Sequence, residues 1–183
     1  MSDAVVVYAA GVFDLFHRGH VELFRKAKAL GDRLVVAVNS DELTAKYKRL
    51  PVFSQEDRLE IVRSCRFVDE AFLIFGFDNS GPILNYRVTK IVHGDDWTGD
   101  SYLYQLRLTP EFIAKYQIEM IYVPYWHGIS TSEAITGAVR RNGSMDEMVT
   151  CSEIHSAVDH SRYCSSAPHS DCEHGQPSSG NAD

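Results

Sequence analysis

Between residues 5 and 123, short runs of β-branched and other apolar residues alternate with stretches of helical periodicity. That alternation is the strongest constraint on the fold. Strands separated by helical stretches cannot pair as hairpins; they run parallel, and the connecting helices cross over the faces of the sheet. "AVVVYAA" (4–10) is the continuous apolar run expected where both faces of a strand are covered. "RLVVAVN" (33–39), "EAFLIF" (70–75), "KIVHG" (90–94) and "EMIYVP" (119–124) supply four more strands. Leu23, Phe24, Ala27 and Leu30 fall at helical spacing, with Gly31 placed to end that helix. A short helical piece is expected in "SDELTAKY", stopped before Pro51. Ser54, with Asp57 three residues on, reads as the cap of a helix carrying Leu59, Ile61, Val62 and Cys65. A helix-like segment follows at 101–116, and a last helix begins in "STSEAITGAVRR", capped by Ser130 or Thr131. The expected architecture is a doubly wound, five-stranded parallel α/β sheet in one domain, with its ligand at the carboxyl ends of the strands.

The formal charge of −7 is unevenly spread. Residues 143–183 hold seven acidic residues against one basic residue, Arg162, while residues 1–142 hold 18 acidic against 17 basic. The core therefore has no basic face suggesting nucleic acid. No apolar run approaches the roughly 20 residues of a membrane span, and "MSDAVVVYAA" lacks the basic start of a signal peptide. A cytoplasmic protein without a membrane partner is expected. Three of four cysteines and four of eight histidines lie in 143–183, but neither C-x-x-C nor H-x-x-x-H occurs there. With stretches such as "GQPSSGNAD", that segment reads as a disordered acidic tail following a domain of residues 1–142.

Two constellations can carry chemistry. In "GVFDLFHRGH" (11–20), Gly11 follows the first strand directly, where a missing side chain admits close backbone approach to a ligand. His17 and His20 open the next helix, whose N–H groups and dipole favour an anion, and two imidazoles there can donate to phosphate oxygens. Neither the G-x-G-x-x-G nor the G-K-[ST] phosphate signature is present. In "HGISTSEAI" (127–135), Gly128 allows a tight turn, and Ser130 and Thr131 offer hydroxyl and N–H donors at a helix start.

Together these stretches resemble the cytidylyltransferase branch of the HxGH nucleotidyltransferase superfamily, a Rossmann-like fold. "GVFDLFHRGHVELFRKAKALGD" is similar to its first signature, and "GIST" (128–131) to the core of its second, R-T-E-G-I-S-T-[ST]. The resemblance implies that Gly11, Val12, Phe13, Gly128, Ile129, Ser130 and Thr131 bind CTP, and that His17 and His20 stabilise the transition state. It further implies an α-phosphate contact from Lys48, with Lys46 as the alternative. Arg58 and Arg66 are two helical turns apart, so roughly on one face of a helix, and the family uses these positions for the acceptor's phosphate. "GDDW" (94–97) is similar to the segment near the cytosine in glycerol-3-phosphate cytidylyltransferases; Asp95 or Asp96 would read the exocyclic amine, and Trp97 would stack or pack. Asp14 and Asp41 match positions lining the acceptor pocket. The chain departs from the family where Tyr125, Trp126 and His127 replace Arg-Thr-Glu. His127, Arg140 and Arg141 are the nearest substitutes for the missing cation, and Tyr125 would instead face the acceptor.

The expected reaction is transfer of CMP from CTP to the oxygen of a small phosphorylated or phosphonylated acceptor, releasing pyrophosphate. The acceptor oxygen is already nucleophilic, so alignment and charge neutralisation are the protein's tasks. Mg²⁺ is expected mainly on the nucleotide phosphates, with no protein metal site. Glycerol-3-phosphate fits "GDDW", ethanolamine phosphate fits "KYKRLPVFSQEDR", and the altered "PYWHGISTS" motivates a phosphonate. An adenylyltransferase and a catalytically idle nucleotide-binding module are the alternatives. Relatives implied by the resemblance are commonly homodimers.

Overall fold

The computed structural model describes residues 4–95, 100–124, 126 and 130–142; for 100, 101 and 138–142 only the backbone is described. The chain divides into units Met1–Val139 and Arg140–Asp183, and the fold below belongs to the first. The expected tail lies outside the described residues.

Strands β1 (Val6–Gly11), β2 (Arg33–Asn39), β3 (Glu70–Ile74), β4 (Lys90–Gly94) and β5 (Glu119–Val123) form one parallel sheet in the order β3-β2-β1-β4-β5. Side chains alternate across it with the strand period of two. Val6, Tyr8 and Ala10 join a core completed by α4 (Ser80–Asn85), α5 (Asp100–Gln105) and α6 (Pro110–Lys115), through Ile83, Tyr102 and the partly buried Phe112 and Ile113. Val7 and Ala9 join the opposite core, completed by α1 (Arg18–Lys28) and α3 (Gln55–Arg63), through Phe24, Ala27 and Val62. Each fully buried Val, Leu, Ile or Phe contributes roughly 1.5–3 kcal/mol of transfer free energy. The two cores are why the strands carry apolar residues at consecutive positions: both faces are covered. The remaining helices are α2 (Asp41–Ala45), capped by Ser40, and α7 (Thr131–Asn142).

Three local expectations change. The segment at 101–116 is not one helix: α5 ends before Arg107, which has φ 55°, and α6 restarts with Thr109 as cap and Pro110 at its first position. Proline there is preorganised for a helix start and cannot sit inside one. Helix α4 was not expected, because Gly81 and Pro82 mask its pattern. Gly31 does not cap α1, whose C-cap is Ala29; a Cβ at Gly31 would stand 2.6 Å from the Val5 carbonyl oxygen, so close packing requires the glycine.

Candidate active site

The strand order places β1 beside β4, and connections leave these two strands in opposite directions. Between their carboxyl ends, where ligands collect in such sheets, opens a cavity of about 480 Å³. That volume lies within the range of small-molecule sites. The end of β1 and the turn after it contribute Gly11, Val12, Phe13 and Asp14. His17 and His20 enter from α1, Tyr47 and Lys48 from the stretch after α2, His93 and Gly94 from β4, and Ser130 and Thr131 from the start of α7.

The β1–α1 turn is strained and held from outside. Phe13 and Leu15 have φ of 54° and 45°, a left-handed conformation that costs non-glycine residues about 1–2 kcal/mol each. Asp14, between them, is 4% exposed. Its carboxylate accepts from Leu15 N–H (3.0 Å), Val52 N–H (3.0 Å), Phe53 N–H (3.1 Å) and Arg49 Nη2 (3.0 Å). Burial alone would raise this carboxyl, but the two amides and the guanidinium outweigh it and hold it below the usual carboxylate range. Asp14, expected to line the acceptor pocket, lines the cavity and also clasps the loop bearing Lys48 to the turn bearing the histidines. A Cβ on Gly11 would meet the Phe13 ring at 3.0 Å, so the missing side chain makes room for that ring rather than for a ligand. Thr131 Oγ1 donates to the Asp14 carbonyl (2.9 Å), joining the two sequence motifs across 117 residues.

The histidines are set by the helix they begin. His17 is the N-cap of α1, and its Nδ1 accepts from Gly19 N–H at 3.1 Å. His20 Nδ1 accepts from His17 N–H at 3.4 Å, closing a reciprocal capping box made of two imidazoles. The rings stack with centroids 4.0 Å apart, and His20 is flanked by Phe13 and Phe16. An Nδ1 that accepts carries no proton, so each neutral ring bears its hydrogen on Nε2, the one nitrogen left to donate. Burial, then the neighbouring His17, lowers His20 to about 3 although Asp14 opposes the shift; burial also lowers His17 against the pull of Glu133. At neutral pH the site therefore presents two neutral N–H donors.

Ser130 Oγ accepts from Glu133 N–H at 3.2 Å and caps α7. The Lys48 ammonium lies 5.9 Å from the Tyr47 ring centroid, and Lys48 lines the cavity, whereas Lys46 pairs with Glu42. Arg58 and Arg66 do not share a helix face: α3 ends at Arg63, and Arg66 lies beyond it, exposed, over the Phe67 ring and away from the cavity. Arg58 is wholly buried. Its guanidinium donates to the carbonyls of Val12, Phe53 (3.2 Å) and Asn39 (2.8 Å) and to the Asp41 carboxylate (2.7 Å). Asp41 also accepts from Gln55 N–H, so Arg58 and Asp41 tie the ends of β1 and β2 to α3 rather than meeting the cavity. The local helical pitch that suggested a shared face cannot register such long-range carbonyl partners. Asp95 is exposed and outside the cavity wall. Asp96, Trp97, Tyr125, His127, Gly128 and Ile129 lie outside the described residues, as do the side chains of Arg140 and Arg141. Sequence reasoning missed Tyr47, Arg49, His93 and Gln105 as wall residues; nothing in their local pattern marks them, since three separate segments converge to place them.

Among the described residues no helix is long and apolar enough to cross a membrane. Residues 8–137 match the cytidylyltransferase-like family model. The chain is 35% identical over 130 residues to the glycerol-3-phosphate cytidylyltransferase of Bacillus subtilis, covering 70% of this chain and 92% of that one. It is 42% identical over 96 residues to a probable ethanolamine-phosphate cytidylyltransferase of Encephalitozoon cuniculi, spanning 52% of this chain but only 30% of that protein. Among solved structures, a lipopolysaccharide core biosynthesis protein from Thermoplasma volcanium matches with TM-score 0.55 and 26% identity, over 67% of this chain and 98% of that one. Parallel sheet, paired capping histidines and a family match over residues 8–137 converge: the chain belongs to the cytidylyltransferase-like family of nucleotidyltransferases.

Proposed function

We propose that the protein transfers CMP from CTP to the phosphate oxygen of a small acceptor and releases pyrophosphate. The observation that carries this is the paired histidines: both Nδ1 atoms are committed to capping α1, leaving two Nε2–H donors on cavity-lining rings. The Nε2–H groups of His17 and His20 bind the triphosphate and follow its charge as the bond between the α-phosphorus and the leaving oxygen breaks. Lys48 neutralises the α-phosphate. Gly11, Val12, Phe13, Gly128, Ile129, Ser130, Thr131 and the start of α7 cradle the nucleotide. The acceptor oxygen attacks in line, so no covalent enzyme intermediate forms.

Among the described residues no three imidazoles, thiolates or carboxylates gather as metal ligands, and Asp14 and Asp41 are occupied by protein donors. This suits a Mg²⁺ that arrives on the phosphates as part of the substrate. The acceptor we favour is glycerol-3-phosphate, since the relative of that name aligns over nearly its whole length; ethanolamine phosphate and small phosphonates are the competing acceptors. The enzyme would act as a homodimer, as the resemblance implies, in the cytoplasm and with a domain of residues 1–142, as the composition suggests.

A pyrophosphate-release assay with CTP or ATP, against glycerol-3-phosphate, ethanolamine phosphate, choline phosphate and several phosphonates, tests the reading. Release that requires both CTP and one acceptor is expected. Turnover with ATP instead would reassign the nucleotide. Tight CTP binding without release on any acceptor would make the protein a binding module.

A further inference from the structure

The family's second signature opens with an arginine, and this chain has Tyr125 there. A cation missing from one half of a triphosphate site can be supplied from the other half if the fold brings one near. Arg18 is the first residue of α1, between the two capping histidines. Its guanidinium carbon lies 4.3 Å from the centroid of the Trp126 ring; Trp126 lines the cavity, and Arg18 itself is exposed just outside the wall, between the wall residues His17 and Gly19. The remaining cations toward the end of α1 are engaged: Arg25 pairs with Glu22, Lys28 with Asp69, and Lys26 donates to the Pro124 carbonyl at 2.8 Å. Among the described residues Arg18 has no carboxylate or carbonyl partner, only the indole face. A guanidinium stacked on indole keeps its in-plane N–H groups available for oxygen ligands, which a carboxylate partner would consume. The Lys26 bond to Pro124 fixes the same short segment that carries Trp126 against α1, so the platform is anchored two residues from the ring.

We propose that Arg18, seated on Trp126, supplies the phosphate-binding guanidinium that the family carries at the position of Tyr125. The charge has moved from the second motif to the x of HxGH, and Trp126, where the family has threonine, is its platform. This rests on the reading of the cavity as a CTP site, and it identifies a further substrate-binding residue for that reaction.

The test uses the full chain, CTP, CDP and CMP, with calorimetric binding and pyrophosphate-release kinetics on wild type, Arg18→Met, Trp126→Leu and the double variant Arg18→Met/Tyr125→Arg. Circular dichroism confirms folding of each. Arg18→Met is expected to weaken CTP binding at least tenfold and to raise the KM for CTP, while CMP binding and the KM for the acceptor stay within twofold. Trp126→Leu weakens CTP binding less, since it removes the seat and not the charge. Tyr125→Arg is expected to restore CTP binding in the Arg18→Met background. Unchanged CTP binding in Arg18→Met, or equal losses for CTP and CMP, overturns the assignment of Arg18 while leaving the CTP site standing. Failure of the wild type to bind CTP overturns the functional reading itself.

Discussion

On the proposed mechanism each capping histidine performs two tasks with two different nitrogens, and substitution can separate them. At His17, Nδ1 accepts from Gly19 N–H at 3.1 Å, and Nε2–H remains the donor. In asparagine the amide oxygen occupies nearly the place of Nδ1, but nothing reaches the place of Nε2. In glutamine an N–H reaches toward Nε2, but the short-range acceptor is lost. Asparagine is among the best N-cap residues, so His17→Asn should leave stability within about 0.5 kcal/mol of wild type. Removing one donor to a developing oxyanion costs about 10²–10³-fold in kcat, or roughly 2.7–4 kcal/mol. His17→Gln should show the reverse: about 1 kcal/mol lost with the cap, a fall in Tm of about 3–5 °C for a domain of this size, and at least about tenfold more kcat than His17→Asn. Differential scanning calorimetry and pyrophosphate-release kinetics on the two variants read both quantities. If His17→Asn is the less stable of the pair, or is as active as His17→Gln, the division of labour between Nδ1 and Nε2 is refuted.

Asp14→Asn places an NH₂ group against the Val52 and Phe53 amides, so about 2–4 kcal/mol of stability should be lost in urea titration and cleavage by protease within residues 46–53 should accelerate. Arg58→Met should cost about 3–5 kcal/mol, because it leaves Asp41 and three carbonyls without their donor; a stable variant with only a raised KM for the acceptor would return Arg58 to substrate binding. The pH dependence has a definite sign. His20 is lowered to about 3 in the folded protein, from about 6.5 unfolded, so between those values the unfolded chain binds a proton that the folded chain refuses. Stability is complete above about pH 6.5 and declines on acidification, by up to about 1.4 kcal/mol per pH unit. His17, also lowered, adds in the same direction, and Asp14 adds only as the pH falls through the ordinary aspartate value of about 3.8 and below. Chemical denaturation from pH 7.5 to 4.5 measures the slope, and His20→Phe should reduce it.

The strands were readable because burial on both faces leaves consecutive apolar residues, a signal carried by neighbours in the chain. Short helices were less readable: α4 hides behind Gly81 and Pro82, and the split between α5 and α6 rests on one left-handed residue, Arg107. The motifs around His17, His20, Ser130 and Thr131 stood out because a helix start has its own residue preferences. The acidic and basic residues between them were identified as important positions but with different partners. Asp14 binds amides 38 and 39 residues away, and the Arg58 guanidinium reaches a carbonyl 46 residues back.

What the linear order determined is therefore the alternating α/β architecture and the two helix starts that meet at the cavity, since propensity, period and capping act within a few residues. What only the tertiary structure decided is who is paired with whom. A carboxylate buried beside two free amides becomes a clasp, a guanidinium among three carbonyls becomes a strut, and Arg18, which among the described residues meets an indole face and no oxygen acceptor, is the cation proposed to take an anion. The physical reason is that a charged group's role is set by whether folding satisfies it, and its partners come from distant segments that local sequence does not encode.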